Sequence, residues 1–275
     1  MANLLQNIIR IPVKNVKPKR IYQFSDTHLV EWDDLSSQDE TERASARTAR
    51  WEKLRFEFAS HYGEPCGQAQ ALPAKTFFYE LLETCKGGDA LIMAGDIIDF
   101  DTHCNTRILD LALKDYPVPF VAVCGNHVEP DKLPEGHPMK AAGAPVQKLD
   151  LGDMVILGFD NSQRVITKAQ NQAFQQALNE GKPVLVAMHI PIMTEGNWDK
   201  LQYCGEYFQL NYEGCPEENL QFIEMIKANA DQIIAVTCGH LHFLNQSEIC
   251  PGVVQYVSSQ GIIGSYSIYE IGESI

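Results

Sequence analysis

The sequence of 275 residues predicts an α+β protein in which two sheets pack together and helices lie on the outside. Three observations support this fold class. Short apolar runs of the kind found in buried strands recur along the chain, at 21–25, 90–94, 119–124, 184–188 and 233–238. Segments with helical spacing of apolar residues separate these runs. Near the C-terminus, 253–257 and 266–271 alternate in the manner of antiparallel strands.

The run 90–94 shows what all five predicted strands have in common. It is apolar throughout and ends at Gly95, which suits a strand buried on both faces, with the glycine turning the backbone. Asp96 therefore falls at the carboxyl edge of the strand, where open α/β sheets place their ligands. The other four runs lead into residues of the types that bind metals: Asp26 and His28, Asn126 and His127, His189, and His240 and His242.

The remaining elements are placed by periodicity and by helix-ending residues. A polar segment at about 36–62 is predicted to be an inserted helix, since Trp51, Leu54 and Phe58 recur there at helical spacing. Further helices are predicted at 73–84, 107–114, 168–180 and 217–230, and a further strand at 154–160. Surface loops are predicted at 129–145 and, on the substrate side, at about 190–216. Because no linker or repeat is evident, we expect residues 1–275 to form a single domain.

Composition and charge narrow the possible partners and location. The hydrophobic content of 45% and the charged content of 21% are those of an ordinary globular protein. A formal net charge of -14 argues against binding to a nucleic-acid backbone, whose phosphates would be repelled. The eight Cys residues lack a Cys-x-x-Cys pair and are expected to be reduced thiols. Since we find neither a signal-peptide pattern nor a membrane span, we expect a cytoplasmic protein without a membrane partner.

Five of the eight His residues lie at strand ends in company with Asp, Asn or another His. A lone buried His is usually a structural residue, but chance would produce this whole set with a probability on the order of one in a million. Imidazoles and carboxylates without thiolates favour Mn, Fe, Zn, Co or Ni over Ca or a Cys-rich structural Zn. The remaining three histidines, His61, His103 and His137, are assigned no role.

The number of ligand-type side chains predicts a site for two metal ions. Seven are too many for one ion, and a carboxylate at the centre of the set can bridge two. Two ions about 3.5 to 4 Å apart lower the pKa of a bridging water and hold the oxygens of a phosphoryl group. Phosphoester hydrolysis is the chemistry that most needs such a pair, so the residues predict a phosphoesterase.

The ordered motifs resemble those of the calcineurin-like metallophosphoesterase superfamily. They are Asp-x-His at 26–28, Gly-Asp-x-x-Asp at 95–99, Gly-Asn-His at 125–127, the single His189, and Gly-His-x-His at 239–242. The resemblance spans most of the chain, from Asp26 to His242. It implies a four-layer αββα sandwich of two mixed sheets flanked by helices, which agrees with the α+β prediction.

The resemblance also implies a role for each motif residue. One metal would be bound by Asp26, His28, Asp96 and His242, and the other by Asp96, Asn126, His189 and His240. Asp96 would bridge two divalent or trivalent ions, with Mn, Fe or Zn expected, and a metal-bridging hydroxide would attack phosphorus. His127 would be the general acid that protonates the leaving oxygen, with Asp99 orienting its imidazole.

Two departures from the family pattern bear on the substrate. Val128 stands where the family usually has an acidic residue, and Glu129, one position later, is expected to face differently. No Arg follows Asp99, where some protein phosphatases of the superfamily place a phosphate-binding Arg. A small phosphorylated substrate is therefore expected, with a nucleotide as one candidate.

Alternatives to a generic phosphoesterase remain open from the sequence. The opening Asp26-Thr-His-Leu resembles the bacterial class III cyclic-nucleotide phosphodiesterase branch. A catalytically silent scaffold of the same fold is the alternative from another class, although such a chain would be expected to lose ligands. The native metals and the oligomeric state are left open.

Two groups of side chains near these motifs have competing interpretations. Arg43, Arg47 and Arg50 form a stripe that is more often a solvated helix face than a phosphate-binding surface. Aromatic residues in the loop after His189 could form a ring-stacking wall or simply anchor the loop. They are Trp198, Tyr203, Tyr207, Phe208 and Tyr212.

Overall fold

The computed structural model describes residues 3–64, 72–140, 143–205 and 208–275, without the side chain of Phe58. Cys66 and Tyr207 therefore lie outside the described residues. The strands are β1 (Leu5–Pro12), β2 (Lys19–Phe24), β3 (Ala90–Ala94), β4 (Phe120–Val123), β5 (Gln147–Asp150), β6 (Val155–Gly158), β7 (Val184–Ala187), β8 (Ile233–Cys238), β9 (Asn245–Cys250), β10 (Val253–Val257) and β11 (Ser265–Gly272). The α-helices are α1 (Gln38–Leu54), α2 (Glu57–His61), α3 (Ala74–Cys85), α4 (His103–Leu113), α5 (Lys168–Asn179), α6 (Trp198–Cys204) and α7 (Glu217–Ala228).

These strands form two mixed sheets. The first has the order β1-β11-β2-β3-β4, in which β11 and β2 run antiparallel and the other neighbours run parallel. The second has the order β5-β6-β7-β8-β10-β9, with β5 and β9 antiparallel to their neighbours at the two edges. The parallel strands β3 and β6 to β8 lie inside their sheets and are buried over their whole length, as such strands require, whereas β4 lies at the edge of the first sheet.

The two sheets pack face to face, and each is covered on its outer face by helices. Ile92 and Val121 of the first sheet share one apolar cluster with Ile156, Leu185 and Ala235 of the second. Helices α3 and α4 pack against the outer face of the first sheet, and α5 and α7 against that of the second. The predicted α+β fold, a four-layer αββα sandwich of two mixed sheets flanked by helices, is confirmed.

Three of the helices, α1, α4 and α5, begin where a side chain accepts from a free backbone N–H group of the first turn. The Ser37 hydroxyl accepts from the Glu40 N–H while the Glu40 carboxylate accepts from the Ser37 N–H, a reciprocal cap for α1. Thr167 caps α5 in the same way, and the Thr102 hydroxyl accepts from the N–H of Asn105. The cap at Thr102 starts α4 at His103, four residues before the predicted start.

Several predicted elements differ from the structure. The inserted segment contains two helices, α1 and α2, and part of the predicted loop at 190–216 is the helix α6. The strands β1, β5 and β9 were not predicted, because they lie at or near sheet edges and mix polar with apolar residues. The described part of the segment 129–145 has little regular structure but is not wholly on the surface, since Leu133, His137 and Met139 are buried.

The structure bears on two expectations from composition, the state of the cysteines and the presence of a membrane-spanning helix. Seven cysteines are described and all are free, as expected for reduced thiols. No helix within the described part of the chain is long and apolar enough to cross a membrane.

Candidate metal centre

The candidate site lies where the carboxyl ends of five strands meet. Strands β2, β3 and β4 of the first sheet lead into Asp26-x-His28, Asp96-x-x-Asp99 and Asn126-His127. Strands β7 and β8 of the second sheet lead into His189 and into His240-x-His242. Because parallel strands end at the same edge, residues far apart in the chain come together here.

The backbone is strained at these strand ends. Seven non-glycine residues of the described ranges have positive φ, and five of them are candidate ligands: Asp26 (+52°), His28 (+44°), Asp96 (+49°), His240 (+76°) and His242 (+60°). The left-handed conformation costs a residue with a Cβ about 1 to 2 kcal/mol. Strain of this kind persists where surrounding structure enforces it, and it clusters at functional sites.

Two glycines permit close approach at the centre of the site. A Cβ on Gly125 would overlap the carboxylate and the backbone nitrogen of Asp96. Gly95 has a φ of +88°, and a Cβ there would overlap the ring of His189. These positions require glycine because other side chains of the site occupy the space.

Asp26, His28 and His242 form the first of two clusters. The Nε2 atoms of His28 and His242 are 3.0 Å apart, and His242 Nε2 lies 3.4 Å from Asp26 Oδ1. The backbone N–H of His240 donates to the Asp26 carboxylate at 3.0 Å, which fixes its orientation. One ligand atom from each of the three side chains lies within 4.8 Å of the others, so the group could hold a metal ion.

Asp96, His189 and His240 form the second cluster, with Asn126 beside them. His189 Nε2 lies 3.1 Å from each of three atoms: Asp96 Oδ2, Asn126 Oδ1 and His240 Nδ1. The structure thus brings together all seven predicted ligands at the same edge of the sandwich.

Hydrogen bonds at Nδ1 leave the Nε2 atoms of two histidines directed toward the other candidate ligands. His28 Nδ1 donates to Asp99 at 2.9 Å, and His189 Nδ1 donates to the carbonyl of Ala94 at 2.8 Å. Nε2 is therefore the ring atom that would bind a metal ion, in the form of the imidazole that carries no proton there. A His held through its other nitrogen is the usual arrangement of a metal ligand.

Burial and neighbouring charges set the protonation of these groups. Burial lowers the pKa of His28 to about 4 and that of His240 to about 3, which keeps both in the neutral form that binds metals. Burial raises the pKa of Asp26, but the hydrogen bond from His242 and nearby imidazole charge outweigh it and bring that pKa to about 2. Burial lowers the pKa of His189, and Asp96 more than reverses this, to about 9.

His127 lies beside both clusters and is held by two carboxylates. Its Nδ1 is 3.0 Å from Asp99 Oδ1, and its backbone N–H donates to Asp96 Oδ1 at 3.1 Å. Its Nε2 is 3.9 Å from Asp96 Oδ2, and its side chain remains 24% exposed. Burial lowers the pKa of His127, but Asp96 and Asp99 outweigh it and raise that pKa above its ordinary value.

The inserted helix α1 contributes residues that the sequence did not assign to the site. The Arg47 guanidinium forms a bidentate ion pair with Asp99, and the Trp51 Nε1–H donates to the same carboxylate at 3.1 Å. The interpretation of the arginine stripe as a solvated helix face is therefore wrong for Arg47. Arg43 instead stacks on Phe100, 4.3 Å from the ring centroid. Arg43, Arg47 and Trp51 recur every four residues, and this spacing was the signal in the sequence that the three side chains share one face of the helix.

The aromatic residues after His189 have different surroundings. Phe208 lies beside the candidate centre, with its ring centroid 4.8 Å from that of His240. Tyr203 stacks on His61 at 4.0 Å, while Arg164 lies over the ring of Tyr212. Within the described residues, Phe208 is the aromatic of this loop that lines the cavity, whereas Tyr203 and Tyr212 contact other parts of the protein.

The departure from the family motif at Val128 has a structural explanation. Val128 is buried in the apolar cluster between the first sheet and its helices, where a carboxylate would be costly. The side chain of Glu129 is 64% exposed and pairs with Lys132 at 2.7 Å. It therefore faces away from the site, as expected.

A cavity of about 500 Å³ opens onto the two clusters. Its lining includes Asp96, Asn126, His127, His240 and His242 on the floor. The walls are contributed by α1 and by the loops after β6 and β7: Arg47, Arg50, Trp51, Leu54, Ser162, Gln163, Arg164, Ile190 and Phe208. Among the described residues, His61, His103 and His137 do not line this cavity.

Buried imidazoles and carboxylates at the strand ends of an αββα sandwich place the protein in the class of the metallophosphoesterases. The calcineurin-like phosphoesterase family matches residues 19–244, a range that includes all the motifs. The chain therefore belongs to the calcineurin-like phosphoesterase family. No curated protein matches the sequence at a significant level.

Solved structures with the same fold include two phosphatases. A dimetal phosphatase from Danio rerio superposes with a TM-score of 0.55 over 90% of this chain and 89% of its own, at 11% identity. A purple acid phosphatase from yellow lupin (Lupinus luteus) seeds superposes with a TM-score of 0.50 at 13% identity. This chain is covered to 92% in that second comparison, but the match spans 45% of the lupin chain. At such identities the likeness shows the fold, and activity must be argued from the site.

Proposed function

We propose that the protein is a binuclear metal-dependent phosphoesterase that hydrolyses a small phosphate ester. The observation that carries this proposal is the meeting of two clusters of candidate ligands at the floor of one cavity, with His127 beside them. Asp26, His28 and His242 would hold one ion. Asn126, His189 and His240 would hold the other, and Asp96 would bridge the two ions.

The residue types indicate which ions would bind. Imidazole, carboxylate and amide ligands without thiolates fit Mn, Fe or Zn, as the sequence predicts. When bound, a pair of such ions activates water and neutralises the charge of the phosphoryl oxygens. The seven side chains would supply the ligands, and three of them are already oriented by other contacts: His28 by Asp99, His189 by the Ala94 carbonyl and Asp26 by the backbone N–H of His240.

His127 is suited to protonate the leaving oxygen. Asp99 accepts from its Nδ1, which fixes the ring and directs Nε2 toward the cavity side of Asp96. A proton held at Nε2 would then be available to an ester oxygen in the cavity. Asp99 itself supports the positive charge of the imidazolium.

The cavity walls favour an anionic substrate with an apolar or aromatic part. Arg50 and Arg164 line the cavity of a protein whose net charge is -14, so positive charge is present where phosphate would bind, whereas the charge of Arg47 is paired with Asp99. Phe208 and Ile190 provide an apolar wall on which a ring could lie. The same wall is the observation that favours a phosphodiesterase acting on a cyclic nucleotide as the second candidate.

One assay compares these candidates. Metal-stripped protein would be resupplied with Mn²⁺ and given p-nitrophenyl phosphate, bis-p-nitrophenyl phosphate and cyclic AMP. Turnover of the monoester alone would support a phosphatase, and turnover of the diester or of cyclic AMP would support the phosphodiesterase. No turnover of any of the three, with two Mn²⁺ bound per chain, would contradict the proposal and support a silent scaffold.

A further inference from the structure

The carboxylate of Asp99 is surrounded by nitrogen donors from four side chains. Within 3.1 Å of its Oδ1 lie His28 Nδ1 (2.9 Å), His127 Nδ1 (3.0 Å), Trp51 Nε1 (3.1 Å) and Arg47 Nη2 (2.8 Å). Its Oδ2 accepts from Arg47 Nε. The side chain of Asp99 is fully buried, so water cannot replace a donor that is lost.

Asp99 connects two parts of the candidate centre. Through His28 it orients a candidate metal ligand, and through His127 it orients the candidate general acid. A carboxylate with fewer donors would be free to rotate, and it would then hold neither ring in one orientation. The position of Asp99 therefore affects both metal binding and proton transfer.

Two of the four donor side chains come from the inserted helix α1. Arg47 and Trp51 lie one turn apart, so both face the same side of the helix. Trp51 also stacks on the ring of His28, with centroids 4.0 Å apart and planes at 30°. Arg47 Nη2 also lies 2.9 Å from His127 Nδ1. The helix thus contacts the carboxylate and both of the imidazoles that the carboxylate orients.

We infer that α1 completes the catalytic centre, with Arg47 and Trp51 acting as positioning residues that hold Asp99. The inference rests on the proposed function, but its first consequence, a change in metal affinity, can be measured without any substrate turnover. Loss of either donor loosens His28, so the affinity for a metal ion falls. Its second consequence is that His127 is oriented less well, so the rate of the chemical step falls while substrate binding is retained.

The test uses Arg47→Ala, Arg47→Lys and Trp51→Phe in the full chain, with Arg43→Ala as the matched control. Arg43 lies one turn before Arg47 on the same helix but stacks on Phe100, so its loss tests packing of the helix alone. Mn²⁺ affinity would be measured by calorimetric titration. The values of kcat and KM would be measured on whichever ester the wild type hydrolyses, and Tm on each variant.

We expect Arg47→Ala to lower kcat by about 10- to 100-fold and Mn²⁺ affinity by about tenfold, with KM changed less than about threefold. Trp51→Phe keeps an aromatic ring against His28 but removes the N–H donor, so smaller losses of the same kind are expected. Arg47→Lys retains one charged donor and should recover part of the rate. Arg43→Ala should keep wild-type kcat and Mn²⁺ affinity.

Three outcomes would overturn the inference. Wild-type kcat and Mn²⁺ affinity in both Arg47→Ala and Trp51→Phe would show that these residues only anchor the helix. A raised KM at unchanged kcat in Arg47→Ala would show that Arg47 binds substrate instead. Equal losses in Arg43→Ala would trace the effect to helix packing. If the wild type hydrolyses no ester, the proposed function fails, and the Mn²⁺ affinities of the four variants still support or overturn the positioning role.

Discussion

At the scale of single residues, Asp96 is the carboxylate that links the two clusters to the candidate general acid. Its Oδ2 faces His189 Nε2 at 3.1 Å, and its Oδ1 accepts from the His127 N–H. Burial raises the pKa of Asp96, but the charges of His189 and His127 lower it well below its ordinary value. Asp96 is therefore ionised, which is the form a bridging ligand requires.

Replacing a candidate ligand should remove metal and activity together. We expect Asp96→Asn and His240→Ala each to lose at least one bound ion and all measurable turnover, because each removes a ligand from the centre. The measurements are metal content after dialysis and the rate of ester hydrolysis. Asp101→Asn, five residues after Asp96, should behave as the wild type. Full activity in either ligand variant would contradict the two-metal mechanism.

Replacing His127 should separate metal binding from chemistry. In His127→Ala both ions should remain bound, while kcat falls by about 10²- to 10⁴-fold, because the leaving oxygen is no longer protonated. A substrate with a good leaving group, such as a p-nitrophenyl ester, should lose less rate than an alkyl ester. Loss of metal in this variant would show that His127 is a ligand and not the acid.

At the scale of elements, the site depends on how tightly the ends of the strands approach one another. We expect Gly125→Ala to lower Mn²⁺ affinity and Tm, because its Cβ overlaps the Asp96 carboxylate and backbone. Gly87→Ala is the control, since its Cβ would make ordinary van der Waals contacts, the nearest at 3.5 Å from the Tyr22 hydroxyl. Equal effects of the two substitutions would contradict a specific role for Gly125.

Helix α7 offers a test of what packing contributes away from the site. Phe222 is fully buried, with its ring 4.9 Å from Phe159 and 5.3 Å from Phe174. Phe222→Ala should lower the free energy of unfolding by about 3 to 5 kcal/mol, as the loss of a buried aromatic ring usually does. Leu220→Ala, two residues earlier, removes a side chain on a residue that is 49% exposed and should change this free energy by less than about 0.5 kcal/mol. Urea denaturation measures both values, and similar losses would contradict the described packing.

At the scale of the whole molecule, the candidate centre joins the two sheets of the sandwich. Asp26, His28 and Asp96 follow strands of the first sheet, whereas His189, His240 and His242 follow strands of the second. A metal ion held by both groups would bind the folded chain and not the unfolded one. Metal binding should therefore stabilise the fold as a whole.

This coupling predicts a rise in thermal stability with metal. At a free Mn²⁺ concentration 100 times Kd, the folded state should gain about 2.7 kcal/mol. For domains of similar size this corresponds to a rise in Tm of roughly 2 to 4 °C per kcal/mol. Thermal unfolding with Mn²⁺ and with EDTA measures the difference, which should vanish in Asp96→Asn. An equal rise in that variant would show that Mn²⁺ acts elsewhere.

Much of this architecture could be predicted because its determinants are local. The runs at 90–94, 184–188 and 233–238 are apolar over their whole length, which is typical of strands buried on both faces, and all three are strands in the structure. The polar edge strands β5 and β9 carry no such pattern, because one face of each is open to solvent or to loops. Pattern alone could not distinguish them from loops.

The sequence by itself determined the fold class and the set of candidate ligands, since motif spacing and strand hydrophobicity are properties of short segments. Tertiary structure alone decided that Arg47 and Trp51 contact Asp99, 52 and 48 residues away, and that Phe208 lies against His240. An arginine on a polar helix has the same sequence pattern whether it faces water or a buried carboxylate. Packing of the inserted helix against the sandwich determines which it faces, and that packing depends on contacts between distant parts of the chain.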